Sequence, residues 1–71
     1  RSGTGSKLLA YVEERALLMD IHKICLRVLS TNKRAIAFYE KNGYLHQGRL
    51  VNEFLIGGNY VDDCLMYKLL G

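Results

Sequence analysis

The run Lys23-Ile24-Cys25-Leu26-Arg27-Val28-Leu29-Ser30, followed directly by Thr31-Asn32-Lys33-Arg34-Ala35-Ile36-Ala37-Phe38-Tyr39-Glu40-Lys41-Asn42-Gly43, decides the fold. Its first half has apolar residues on both parities, which predicts a strand covered on both faces, central rather than exposed. Thr31 or Asn32 can cap a helix, and Ala35, Ile36, Phe38 and Tyr39 continue the helical spacing for about ten residues. Asn42-Gly43 stops it, because glycine accepts the left-handed conformation that ends a helix.

Upstream, Leu8, Leu9, Val12, Ala16 and Met19 recur at helical spacing while Lys7, Glu13, Glu14 and Arg15 fall largely elsewhere. An amphipathic helix is therefore expected over residues 5–20, opening from the small, glycine-rich stretch Arg1-Ser2-Gly3-Thr4-Gly5-Ser6. Downstream, residues 44–56 and 60–70 flank Gly57-Gly58-Asn59, whose glycines permit the positive φ values of a tight reversal, so a β-hairpin is expected there. The order is helix, strand, helix, strand, strand: an α/β chain with an antiparallel end. It carries no repeat, low-complexity stretch or linker, and residues 1–71 are read as one domain. A strand upstream of residue 1 is expected to deliver the glycine loop, because a strand fixes the direction in which free helix N–H groups point.

Composition bounds the function. A chain of 71 residues supports one small core. Its 49% hydrophobic and 24% charged residues exclude disorder. Its apolar runs are far shorter than the ~20 residues a bilayer needs, so no membrane partner is expected. A net charge of +3, spread without a block, argues against nucleic acid. Cys25 and Cys64 form no metal-like cluster, and with no signal-like segment they read as reduced, buried thiols of a cytoplasmic protein. His22 and His46 are isolated, and no metal is expected. Glu53, Asp62 and Asp63 on the hairpin either face a cationic amine or are solvated charges, the second being the commoner case.

Two features point to chemistry. A helix start preceded by glycines presents free N–H groups and the positive end of the helix dipole, which suits phosphate or pyrophosphate. Gly3-Thr4-Gly5 is either such a cradle or a plain entry turn. It is not a nucleotide P-loop, since Ser6-Lys7 lacks the Gly-Lys-Ser/Thr order. The second feature is Asn32 and Tyr39, two helical turns apart and so on nearly one face. They either flank one extended ligand or serve only as cap and core residue.

Gly3-Thr4-Gly5-Ser6-Lys7-Leu8-Leu9 together with Asn32-Lys33-Arg34-Ala35-Ile36-Ala37-Phe38-Tyr39-Glu40-Lys41-Asn42-Gly43-Tyr44 resembles the C-terminal half of a GCN5-related N-acetyltransferase (GNAT). The first stretch is similar to the family's R/Q-x-x-G-x-G/A acetyl-coenzyme A loop, and the second to its N-x-x-A-x-x-x-Y-x-x-x-G-[FY] element. The resemblance extends over all 71 residues, the hairpin being similar to that of the ribosomal-protein-alanine, amino-acid and polyamine acetyltransferase branch. Arg1 sits one place too late to be the motif's leading residue.

The resemblance implies a three-stranded sheet with the last strand in the middle and mostly antiparallel pairing, preceded in the parent enzyme by four strands and two helices. It implies acetyl transfer from acetyl-coenzyme A to a primary amine by direct attack. The backbone around Gly3, Thr4, Gly5 and Ser6 would hold the pyrophosphate, and Asn32 would hydrogen-bond the pantetheine arm. Tyr39 would lie near the sulfur and protonate the leaving thiolate; a phenol with an ordinary pKa of about 10 carries its proton at neutral pH. Lys33 or Lys41 reads as either a contact to the terminal phosphates or a solvated charge. The oxyanion donor, the usual base and much of the amine pocket belong to the upstream half, so the 71-residue chain alone is expected to be inactive. The rival reading is a non-catalytic module that binds coenzyme or forms a homodimer through an unpaired apolar edge at residues 24–30.

Overall fold

The computed structural model describes residues 3–71, and Arg1 and Ser2, including the position weighed against the motif's leading residue, lie outside them. The elements are α1 (Thr4–Leu18), β1 (Lys23–Leu29), α2 (Lys33–Lys41), β2 (Leu45–Ile56) and β3 (Asn59–Leu69), in the expected order. The sheet order is β1-β3-β2 with both pairings antiparallel, so the last strand is central.

That order corrects one expectation and bears out another. β1 is not central: it pairs with β3 alone, its other edge is unpaired among the described residues, and its side chains alternate between partly buried and exposed. The apolar edge that the resemblance implied at residues 24–30 is what forms. Cys25 is exposed whereas Cys64 is buried, so only one of the two free thiols is covered.

Both helices lie on one face of the sheet. Leu9 of α1 and Ala35, Ile36 and Tyr39 of α2 pack against a core of Val28, Tyr44 and Met66. The stripe expected to bury α1 is shifted around the helix: Leu8 and Val12 are 63% and 53% exposed, while Ala16 is buried. Glu13 turns inward instead, because Tyr44 and Lys68 satisfy its carboxylate. A paired carboxylate can be covered where an unpaired one could not.

Backbone conformation explains the boundaries. α1 ends at Leu18 rather than at residue 20 because Asp20 takes φ 62, and the Ile21 N–H folds back on the Ala16 carbonyl at 2.9 Å. Gly57 and Gly58, at φ 58 and 83, form the two-residue turn that sets Ile56 opposite Asn59. Strand β2 is irregular twice, once at Gln47 and once where Val51, Asn52 and Glu53 oppose Asp62 alone.

The acidic residues of the hairpin are ion-paired rather than solvated. Asp63 is 3% exposed and accepts from the Arg27 guanidinium, which also donates to Glu53 at 3.2 Å. Asp62 holds the second irregularity: one oxygen accepts from the Asn52 N–H at 2.8 Å and the other from Arg49 Nε at 2.6 Å. Asn52 sits at φ 53, so this carboxylate secures a bent stretch of backbone.

The Asn52 N–H, then Arg49, hold the Asp62 carboxyl below its ordinary pKa of 3.8. A depressed folded-state pKa means that the unfolded chain takes up the proton more readily. The stability from Asp62 is thus fully present above about pH 5 and is lost as pH falls through 3.8 toward the folded-state value. In denaturant titrations at pH 7 and pH 3, Asp62→Asn should lose less stability on acidification than the parent. Equal losses would show that Asp62 does not carry that acid sensitivity.

Candidate functional site

The sequence opens α1 with a glycine that only a left-handed conformation explains. Gly3 is the N-cap at φ 92, makes no side-chain cap, and accepts from the Lys7 N–H at 2.9 Å. Thr4 and Gly5 are exposed and Ser6 is half-buried. Free N–H groups of this first turn are available to an anion. The first turn holds no acidic residue to compete for them.

Gly5 makes the contact that joins this turn to the second helix. A Cβ placed on it would lie 3.2 Å from Phe38 Cε1 and 3.3 Å from Cζ, so the ring rests directly on the α1 backbone. Phe38 meets Tyr39 edge to face at 5.2 Å between centroids. The cradle glycines and the tyrosine, 34 positions apart in the chain from Gly5 to Tyr39, are thereby joined through one intervening ring.

Asn32 caps α2, its Oδ1 accepting from the Ala35 N–H at 3.2 Å. The acceptor half of the amide is thus engaged by the helix, and the exposed NH2 group is the half free to meet a ligand. Tyr39 lies two turns further on, half-buried and packed on the Val28, Tyr44 and Met66 core. The cap role and the core role both occur, and they leave the amide NH2 of Asn32 for binding.

Other candidates are engaged elsewhere. His22 pairs with Asp20 at 2.8 Å and His46 with Glu40 at 2.7 Å, both exposed. Lys33 lines a surface cavity with Ser30, Ile36, His46, Gly48, Arg49 and Cys64. Among the described residues no group of three or more His, Cys, Asp or Glu side chains is arranged to hold a metal ion, and no helix is long and apolar enough to cross a membrane.

The sequence offers Phe38 as an apolar helix residue and Tyr44 as the last position of the N-x-x-A-x-x-x-Y-x-x-x-G-[FY] element, and neither reading gives it a part in the site. For Tyr44 a signal existed: a left-handed glycine at Gly43 brings the next residue back over the last helical turn. The Tyr44 N–H donates to the Tyr39 carbonyl at 2.9 Å and the Gly43 N–H to Glu40 at 3.1 Å. The two tyrosine rings meet at 5.4 Å.

Comparison with known proteins fits this geometry. The model of the acetyltransferase (GNAT) family matches residues 1–44. A spermidine N(1)-acetyltransferase of Vibrio cholerae serotype O1 is 42% identical over 52 residues, 73% of this chain and 30% of that protein. Among solved structures, smu.2055 from Streptococcus mutans superposes with a TM-score of 0.91 at 34% identity, over 100% of this chain and 44% of its own. The spermidine/spermine N-acetyltransferase of Vibrio cholerae in complex with manganese ions gives 0.83 at 35% identity, over 96% of this chain and 41% of its own. The chain spans less than half the length of each of these relatives.

Proposed function

The chain belongs to the acetyltransferase (GNAT) family, and from that premise we propose that residues 1–71 are the coenzyme-binding half, one partial domain, of an acetyl-coenzyme A-dependent N-acetyltransferase. The observation that supports this reading is the Gly5–Phe38–Tyr39 contact, which joins a glycine-rich helix start to a helix bearing an amide and a phenol. The coenzyme's pyrophosphate lies on the N–H groups of Gly3, Thr4, Gly5 and Ser6. The Asn32 NH2 donates to a carbonyl of the pantetheine arm, and the thioester ends beside Tyr39.

The acceptor is a primary amine, and the spermidine-acetylating relatives favour a polyamine. A neutral amine nitrogen attacks the thioester carbonyl, the C–N bond forms, and the tetrahedral adduct collapses with loss of the C–S bond. Tyr39 gives its proton to the departing thiolate, while the proton of the new ammonium leaves to water. Direct attack proceeds without a covalent acyl-enzyme.

Calorimetric titration of the complete protein with coenzyme A tests the cradle. Gly5→Val drives a branched side chain into Phe38 and displaces the first turn of α1, and is expected to weaken binding about ten-fold or more. Unchanged affinity would remove the cradle from the site. The rival, a non-catalytic module associating through the unpaired β1 edge, is favoured only by that edge. Acetylation of spermidine by the complete protein would eliminate it.

A further inference from the structure

We infer that Tyr44, anchored by Glu13, is the positioning residue that aims the Tyr39 phenol, an inference that rests on reading Tyr39 as the proton donor. Tyr44 is 2% exposed, and its hydroxyl donates to Glu13 Oε2 at 2.9 Å. The other Glu13 oxygen accepts from Lys68 Nζ at 3.0 Å, and the same ammonium donates to the Asn42 carbonyl at 2.9 Å, just beyond α2. Lys68 also lies 5.7 Å from the centre of the Tyr44 ring. Three elements, α1, the end of α2 and β3, therefore meet on one partly buried hydrogen-bonded group.

Tyr39 is held at its backbone and at its ring by this arrangement. Its carbonyl accepts from the Tyr44 N–H, and its ring meets Phe38 at 5.2 Å and Tyr44 at 5.4 Å, at interplanar angles of 72° and 68°. The two edge-to-face contacts, with the packing of the ring on Val28 and Met66, hold the Cα–Cβ rotamer of Tyr39, which sets where its hydroxyl oxygen lies. A proton donor aligned before the thioester arrives does not have to be ordered during the reaction. Burial, and then Glu13, raise the Tyr44 phenol above its ordinary pKa of 10.0, so it remains a donor to Glu13 throughout the neutral range.

The experiment uses the complete enzyme with tyrosine-ring 13C labels, and acetyl-coenzyme A with spermidine as the probe amine. Tyr44→Phe keeps the ring and its burial but removes the bond to Glu13. It should shift the Tyr39 ring signals and lower kcat about five-fold, with KM for acetyl-coenzyme A within about two-fold. Glu13→Leu should do the same, and the double variant should fall no further than about two-fold below the lower single one. Glu13→Gln, whose amide oxygen still accepts from Tyr44, should restore the Tyr39 signals.

Tyr39 ring signals that do not move in Tyr44→Phe would overturn the inference, as would losses that multiply in the double variant. The NMR arm needs no acceptor and no turnover, so it separates this inference from the reading beneath it. Full turnover in Tyr39→Phe would sink the proton-donor role while the ring signals still reported whether Tyr44 orients Tyr39.

Discussion

Tyr39→Phe in the complete enzyme should lower kcat by about 100-fold or more while KM for acetyl-coenzyme A changes by less than about two-fold. The asymmetry follows from where the phenol sits. The ring packs on Val28, Tyr44 and Met66 and against Phe38, and phenylalanine fills the same space. Only the hydroxyl is lost. In the proposed role that hydroxyl acts when the C–S bond breaks, so its removal would raise the barrier without altering ground-state contacts along the coenzyme. A thiolate leaving group is stable enough for a residual rate to persist. Steady-state kinetics with spermidine as acceptor measures the split, and an unchanged kcat would move the proton donor to another residue.

Met66→Ala should cost about 2–5 kcal/mol of folding stability, a large share of the 5–15 kcal/mol typical of a domain. Met66 is 0% exposed, lies on the central strand opposite Leu26 of β1 and His46 of β2, and forms the core with Val28 and Tyr44. Truncating it opens a cavity in the cluster against which both helices pack, and neighbours on two hydrogen-bonded ladders have little freedom to close the space. Urea unfolding of the complete enzyme measures the loss, and Met66→Leu, similar in volume, should recover most of it. A cost below about 1 kcal/mol would show that the core is centred elsewhere.

The local structure of the candidate site was legible because its signals are local. Asn32 announces a helix start through its side-chain oxygen, and that oxygen does cap Ala35. The glycine-rich stretch marks the start of α1, and the structure puts its Gly3 N-cap at φ 92. The spacing from Asn32 to Tyr39 holds across α2, with Asn32 as its cap and Tyr39 in its second turn. Phe38 and Tyr44 are legible in the sequence as an apolar helix residue and a motif position, but not their part in the site, which depends on Gly5 and Glu13 of another helix. Hydropathy alone presents Phe38 as one more apolar residue.

The sequence by itself determined the order of elements, the hairpin reversal at Gly57-Gly58 and the ends of α2, because each depends on the conformational preferences of adjacent residues. Only the tertiary structure decided that Glu13 faces inward and that Asp62 secures a distorted strand. Those outcomes depend on pairings across the chain: Glu13 with Tyr44 and Lys68, Arg27 with Asp63, and Asp62 with the backbone of Asn52. A charge is covered only where its partner arrives, and where the partner arrives is set by the packing of the whole chain.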